Sequence, residues 1–415
     1  MQIIHRTESG TIVQGDNIEV MEKVKENTVD SCISDFPYNL SFMGKKWDTS
    51  ENFYDWCYER ASGLHRIMKP GGYVCIFGHP KTNHKMKSAF EDAGFKIVEE
   101  IEWVYLTGLP KNQDIGKLFD KKAGKKRPLR DRQRPIGGKQ GVYEGQGGNW
   151  GETENIPQTE ESKTWNGWKT AGLKPAHEPI TIFQKPLEGT YIQNINKYGC
   201  GGMNIDACRI EFAKNDDTRI GKGYKHHAKA GLENAQQKDN SSGKLLSLHN
   251  SDGRFPPNMI IDEYIAEEFD EQTGNKESKK SMRGIGFSNS LVYGNGDKDF
   301  DTERGYNDSG GGSRMFPIIK YCTKVSTTER KLPNGERNPH VTLKPVELIK
   351  WLIKLVTPIN GKTIDITAGS CTHAVACEEL NKNEGYNLKY IDIELMNTES
   401  EPYCDVGKMR VEEVV

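Results

Sequence analysis

The sequence predicts an α/β fold in which a Rossmann-like, mostly parallel sheet carries helices on both faces and is interrupted by a large loop-rich insertion. Three observations predict it. Strands and helices alternate compactly from Thr11 to about Lys111, the stretch 112–338 is rich in glycine and polar residues with few periodic apolar faces, and a strand–loop–helix–strand pattern returns after Pro339. The boundaries expected on this basis are 1–111, 112–338 and 339–415. With 415 residues and 34% hydrophobic side chains, the chain can bury the core of an enzyme.

In the first part TIVQ reads as a strand, DNIEVMEKVKE as a helix capped by Asp16, and VDSCIS as a second strand. FYDWCYERASGLHRIM follows as a helix stopped by KPGG, then YVCIFG as a strand, MKSAFEDAGF as a helix ending at its glycine, and KIVEEIEWVY as a strand. The middle part contains QGVYEGQGGNWG, GCGGMN, YGNGDKDFD and DSGGGSR, a composition of loops. Two apolar pieces within it, EPITIFQKPL and RFPPNMII, predict that it returns to the core. In the last part Pro345 opens a helix with Val346, Ile349, Ile353 and Val356 on one face. KTIDI is then a strand, TAGS a loop, the segment from about Cys371 to Leu380 a helix, and YIDIE a strand.

Bulk charge excludes little. A formal net charge of −2 does not advertise a polyanion partner, so any basic face is local. Nine cysteines without a CxxC pair or zinc-ligand spacing read as free thiols of a reducing compartment, and no metal is expected. The N-terminus has no basic segment followed by an apolar one, and no run is long and apolar enough to span a bilayer. A cytoplasmic protein with no membrane partner is expected. The GxGxxG, HExxH and P-loop patterns are absent, and His79, His177 and His340 have no nucleophile or metal partner at a telling spacing.

Two loops carry chemistry. In an open α/β sheet ligands sit beyond the C-terminal strand ends, and both DFPY (35–38) and TAGS (367–370) follow strands, so one cleft can hold both. Ala368, Gly369 and Ser370 let a ligand approach the backbone, and the next helix offers free N–H groups to an anion. Glu394, at the end of the following strand, can take the hydroxyls of a ribose. Small strand-to-helix loops are also common without a ligand. At DFPY, the Asp35 carboxylate and the Phe36 carbonyl can each accept one hydrogen of an exocyclic amino group, localising its lone pair for attack on a methyl donor. Pro37 fixes the backbone and Tyr38 can stack on a flipped base. The alternative is a strand-end turn with a buried tyrosine.

The chain resembles the β-type, permuted amino-methyltransferases of DNA, many of them phage-encoded. The resemblance runs through SDFPYNLSFMGKKWD, IMKPGGYVCIFG, EDAGFKI, WVYLTGLPK, WNGWKTAGLKPAHEPI, GGMNIDACRI, GRFPPNMI, HVTLKPVELI and DITAGSCT, in that order. It implies a class I methyltransferase sheet and transfer of a methyl group from S-adenosylmethionine to the amino group of adenine or cytosine in double-stranded DNA, with adenine favoured by analogy. It implies that Asp35, Phe36, Pro37 and Tyr38 hold the target base. It also implies that Asp365, Ala368, Gly369 and Ser370 surround the methionine moiety, that Glu394 meets the ribose, that Thr342 and Lys344 reach the methionine carboxylate, and that Asp16 lies near the adenine of the cofactor. The family admits a homodimer, a role in restriction–modification and, for a phage gene, the host cytoplasm.

Three departures qualify this pattern. Phe36 stands where the family usually has proline, which is expected to keep the carbonyl contact but loosen the loop. DITAGSCTH replaces a sequence close to DPFAGSGT, so that packing against the cofactor weakens and Cys371 narrows the start of the helix. Asp392 occupies a position usually held by glycine. For DNA contact, residues 117–134 hold nine Lys or Arg against two Asp and are either a phosphate-binding segment or a solvated face. Trp150, Trp165 and Trp168 either stack on bases or fill a local core, the latter being expected. Rival readings are transfer to RNA or a glutamine amide, and a DNA-binding scaffold whose cofactor loop has decayed.

Overall fold

The computed structural model describes residues 1–40, 48–106, 108, 112–127, 129–131, 152–154, 156–211, 253–278, 281–283, 302–304, 308–319 and 330–415. In chain order the strands are β1 (Gln2–Arg6), β2 (Gly10–Gln14), β3 (Val29–Asp35), β4 (Met68–Phe77), β5 (Lys96–Val104), β6 (Leu129–Asp131), β7 (Glu152–Glu154), β8 (His177–Gln184), β9 (Met259–Asp262), β10 (Lys276–Ser278), β11 (Ser281–Arg283), β12 (Thr302–Arg304), β13 (Asp308–Gly310), β14 (Ile318–Ile319), β15 (Lys362–Asp365) and β16 (Lys389–Glu394). The helices are α1 (Asn17–Glu22), α2 (Phe53–Ile67), α3 (Asn83–Asp92), α4 (Ile115–Lys122), α5 (Glu160–Thr164), α6 (Tyr191–Tyr198), α7 (Glu263–Thr273), α8 (Val346–Val356), α9 (Thr372–Glu384) and α10 (Tyr403–Val414).

Ten strands form one sheet in the order β1-β2-β16-β15-β3-β4-β8-β5-β9-β14. Among them β1 and β8 run against the rest. Side chains alternate across a strand, and β4 shows what this does: Tyr73, Cys75 and Phe77 join one buried cluster with residues of α8 and α9, while Val74 and Ile76 join another with residues of α2 and α3. Both faces are therefore covered, as the alternation of strands and helices requires. From β3 the chain builds outward to β4, and from β15 it builds the other way to β16, so the strand order reverses between β3 and β15. Such a switch point opens a crevice at the C-terminal strand ends.

The two apolar pieces of the middle region do enter the sheet, as β8 and β9. Elsewhere the structure corrects the sequence reading. KPGG does not stop α2 from outside: the helix ends at Ile67 and these residues lie inside β4, where Gly71 has φ +81° and donates its N–H to the Lys185 carbonyl. A side chain at Gly71 would also meet Asn194 and Leu187, so a residue without Cβ is required there. Strand β1 and helix α10 extend the pattern at the two ends.

The chain divides into two compact units, Met1–Leu106 with His177–Val415, and Thr107–Ala176. The smaller unit is organised around a buried carboxylate. Asp120 accepts from Arg127 Nε at 2.5 Å, from Ser162 Oγ at 2.7 Å and from the Thr159 N–H at 3.0 Å, joining α4 to the segment that opens α5. Arg127 of the basic run is thereby committed to an ion pair, whereas Lys121, Lys122, Lys125 and Lys126 are exposed. The rest of that run lies partly outside the described residues. Trp165 and Trp168 touch edge to face at 5.2 Å but are 38% and 61% exposed, so they do not fill a local core as expected. Trp150 lies outside the described residues. Among those described, no helix is long and apolar enough to cross a membrane, and no cluster of His, Cys, Asp and Glu could hold a metal ion.

Candidate active site

Strands β3 and β15 pair in parallel, with Ser31 opposite Thr363 and Cys32 opposite Ile364, which brings their ends side by side. The loops that follow are tied by three hydrogen bonds. Ser34 Oγ donates to Asp365 Oδ1 at 2.7 Å, the Ile366 N–H donates to Ser34 Oγ at 2.9 Å, and Thr367 Oγ1 donates to the Asp35 carbonyl at 3.0 Å. The two motifs separated by more than three hundred residues are thus one structure.

On the DFPY side, Asp35 Oδ2 accepts from Lys344 Nζ at 2.5 Å, and the other oxygen, Oδ1, is buried without a hydrogen-bond partner. Burial pushes the Asp35 carboxyl above the usual carboxylate range although the Lys344 ammonium pulls it down. For Lys344 burial acts against the ammonium, but Asp35 and Glu178 outweigh it and hold its pKa above the usual lysine value. Lys344 is therefore placed against the DFPY loop, and its ammonium also lies 3.3 Å from Tyr38 Oη and 3.5 Å from Glu178 Oε2. Tyr38 donates its hydroxyl to Glu178 Oε2 at 2.8 Å and lies beside His79, with ring centroids 5.7 Å apart. The backbone beyond is fixed by buried Asp48, which accepts from the N–H groups of Asn39 at 2.8 Å and Leu40 at 3.1 Å.

Phe36 does not loosen this loop. Its ring is buried, edge-on to Trp56 at 5.2 Å and tilted against Phe90 at 5.9 Å. A ring in the core fastens the backbone that presents Asp35, and the half-buried Pro37 follows it.

On the TAGS side, Gly369 has φ +53° and its N–H donates to Glu394 Oε2 at 2.7 Å. A Cβ at Gly369 would lie 2.5 Å from His340 Nε2, so the loop depends on glycine twice over. Buried Ala368 donates its N–H to the Ile393 carbonyl, and Ser370 Oγ accepts from Asn338 Nδ2 at 3.0 Å. Glu394 Oε1 accepts from the Met396 N–H at 2.8 Å, and burial raises this carboxyl to about 7. Burial and the charge of Asp392 raise Asp365 to about 7 as well. His340, which carries no role in the sequence reading, stands over Gly369 with Nδ1 buried and unpartnered, and burial lowers its pKa to about 3. Thr342 is half-buried in the turn before Lys344, and Asp16 caps α1, accepting from the Ile18 N–H at 2.8 Å.

The altered TAGS loop is accommodated rather than collapsed. Cys371 has φ +58° and is fully buried, and its sulfur points at Gly407 of α10, where a Cβ would come within 2.4 Å of it. The thiol is received by α10 and does not narrow the start of α9. One turn on, His373 Nδ1 lies 2.6 Å from Asp392 Oδ1, and Asp392 Oδ2 accepts from the Ala374 N–H at 3.0 Å.

Of the residues expected from sequence, Asp35, Tyr38 and Lys344 meet directly, Asp365, Gly369 and Glu394 frame the second loop, and Asp16 lies at the start of α1 as a cap. Sequence reasoning missed Glu178, Asp48 and His340. Only the pair His177–Glu178 opening an apolar run gave a local signal, because an acid at a strand start is next to a strand end when the strand is antiparallel.

Comparison with known proteins gives a consistent result. The N6/N4 methyltransferase family model, described as DNA methylase, matches residues 29–403. The type II methyltransferase M.HindIII of Haemophilus influenzae is 21% identical over 232 residues, which cover 46% of this chain and 64% of that protein. M.BamHI of Bacillus amyloliquefaciens, also named a type II methyltransferase, is 32% identical over 81 residues, 19% of either chain. The chain thus spans less than two thirds of the length of these relatives. The solved structure of the PvuII DNA methyltransferase, titled cytosine-N4-specific, aligns with 99% of this chain and 91% of its own at 13% identity and a TM-score of 0.42.

Proposed function

The chain belongs to the N6/N4 DNA methylase family, and from that premise we propose that it methylates the exocyclic amino group of adenine in double-stranded DNA, with the target base turned out of the helix. The observation that carries this reading is the Asp35 carboxylate: one oxygen is loaded by Lys344 and the other is buried with no partner of its own. A buried acceptor without a donor is costly, and an amino hydrogen of a base satisfies it. Accepting that hydrogen turns the nitrogen lone pair out of conjugation, which is the activation an aromatic amine needs. The carbonyl of Phe36, held by its buried ring, takes the second hydrogen. The nitrogen lone pair would form its bond to the methyl carbon as the methyl–sulfur bond of the donor breaks and a neutral thioether leaves, and the surplus amino proton would pass to the Asp35 carboxylate and on to solvent.

The second loop fits S-adenosylmethionine, which when bound supplies a methyl group on a sulfonium. Gly369 lets the His340 ring lie directly against the loop, His340 Nδ1 is a buried nitrogen with no hydrogen-bond partner, and α9 begins immediately after. In this reading Asp365, Ala368, Gly369 and Ser370 hold the methionine end together with Thr342, Glu394 takes the ribose hydroxyls, and Asp16 lies toward the adenine. Lys344 is better suited to the base side than to the methionine carboxylate, because its ammonium already serves two carboxylates. The exposed lysines of the smaller unit are candidates for contact with DNA phosphates.

The test is methyl transfer from radiolabelled S-adenosylmethionine to unmethylated duplex DNA by the wild type and by Asp35→Ala, followed by digestion to nucleosides. Label in methyladenosine that vanishes with the variant is the expected result. Label in methylcytosine would overturn the choice of base, and absence of both label and cofactor binding would favour a DNA-binding scaffold.

A further inference from the structure

We propose that Glu178 is a positioning residue for methyl transfer, holding Tyr38 and Lys344 so that the ammonium loads one oxygen of Asp35 and leaves the other without a donor. This rests on the function proposed above and assigns a residue that the two motifs do not contain. The carboxylate is the node of the pocket. Tyr38 donates to its Oε2 at 2.8 Å, Tyr105 donates to its Oε1 at 3.1 Å, and Lys344 Nζ stands 3.5 Å from Oε2. These groups come from the loop after β3, the residue after β5, and the segment before α8, and Glu178 joins all three.

Topology explains how an acid so distant in sequence arrives there. Strand β8 is inserted antiparallel between β4 and β5, with Phe77 opposite Ile180 and Trp103 opposite Glu178. Its first residues therefore lie at the end of the sheet where β3 and β5 finish. At 17% exposure the Glu178 side chain is largely withdrawn from water.

Stability alone is a weak reason to bury such a group, since replacing a buried ion network by apolar residues is often neutral or better. Charge gives a stronger one. Lys344 neutralises Asp35, yet the amino nitrogen acquires positive charge as it is methylated. A second carboxylate returns the pocket to a net charge of −1 when both acids are ionised, which favours that developing charge. It also draws the ammonium to one side of Asp35. Without Glu178, three donor hydrogens on Lys344 would have a single carboxylate to serve, and the free oxygen of Asp35 would compete with Tyr38 Oη as an acceptor.

The experiment compares wild type, Glu178→Gln and Glu178→Asp in steady-state methyl transfer and in binding of labelled S-adenosylmethionine, and follows acetylation of Lys344 by acetic anhydride with mass spectrometry. For Glu178→Gln, kcat is expected to fall about 30-fold while cofactor affinity stays within about twofold, the split of a residue acting on the transfer step. Lys344 is expected to be acetylated severalfold faster than in the wild type. Glu178→Asp keeps the charge and is expected to fall between the two, which also serves if the glutamine variant folds poorly. Unchanged kcat, or unchanged Lys344 labelling, in an active enzyme overturns the assignment and leaves the function standing. A wild type that transfers no methyl to any DNA overturns both.

Discussion

His373 and Asp392 are in direct contact beneath the TAGS loop, with Nδ1 2.6 Å from Oδ1 and both side chains removed from water. Asp392 stands where the family usually has glycine, and its partner lies in the helix that begins with the altered loop, so the departure is half of a pair. Burial works against the imidazolium, but Cys377 and Asp392 beside it raise the His373 pKa well above the ordinary histidine value. Removing either partner leaves the other buried and uncompensated.

Asp392→Gly and His373→Leu are each expected to cost about 3–5 kcal/mol in unfolding free energy. The double variant should recover at least about 1 kcal/mol of the summed loss. Urea unfolding of the four proteins closes the cycle. Additive losses would show that the contact carries no coupling.

Phe36→Pro restores the residue usual in the family and removes the ring between Trp56 and Phe90. Loss of a buried aromatic ring is expected to destabilise by about 3 kcal/mol. Methyl transfer well below the melting temperature should persist, because Asp35 and Tyr38 are retained. Thermal unfolding together with a low-temperature assay checks both parts.

Gly369→Ala combines a left-handed backbone, φ +53°, with a Cβ placed 2.5 Å from His340 Nε2. The loop must shift, and the N–H bond to Glu394 shifts with it. Affinity for S-adenosylmethionine is expected to fall at least about tenfold, equivalent to ~1.4 kcal/mol, in equilibrium dialysis. Affinity within a factor of two of wild type would contradict this geometry.

Asp365 and Glu394 are held at about 7, both chiefly by burial. Their folded pKa values exceed those of the unfolded chain, so their contribution to stability is full below the unfolded values, near pH 4, and is lost as pH rises through about 7. The raised pKa of His373 adds to the same slope, whereas the lowered His340 acts in the opposite sense but only below its unfolded value of about 6.5. Two carboxyls outweigh the one opposing imidazole, so the ligand-free protein should lose stability between about pH 4.5 and about pH 7. Glu394→Gln should flatten that loss in urea titrations at the two pH values.

Much of this was legible in the chain. VDSCIS, YVCIFG and KTIDI are short apolar runs bounded by turn residues, and each is a central strand. DFPY and TAGS were placed correctly at strand ends because an open sheet has its ligands there. What could not be read is direction. Nothing local distinguishes EPITIF as an antiparallel strand, so Glu178 was read only as the start of an apolar piece although it meets Tyr38. The resemblance of TLKP assigns Lys344 to the methionine carboxylate, and nothing in the sequence shows that its long side chain also reaches Asp35. The exposure of Trp165 and Trp168 was missed because aromatic residues in a loop carry no periodicity that would reveal a core.

The insertion of β8 also sets an order of assembly. Strands β4 and β5 follow one another along the chain but do not pair; each waits for β8, which is reached only after the whole Thr107–Ala176 unit. As the polypeptide leaves the ribosome, Asp35 appears early, Glu178 much later, and Lys344 and Thr367 near the end. A chain still being synthesised therefore lacks Glu178, Lys344 and Thr367, and the pocket around Asp35 is complete only when the sheet closes.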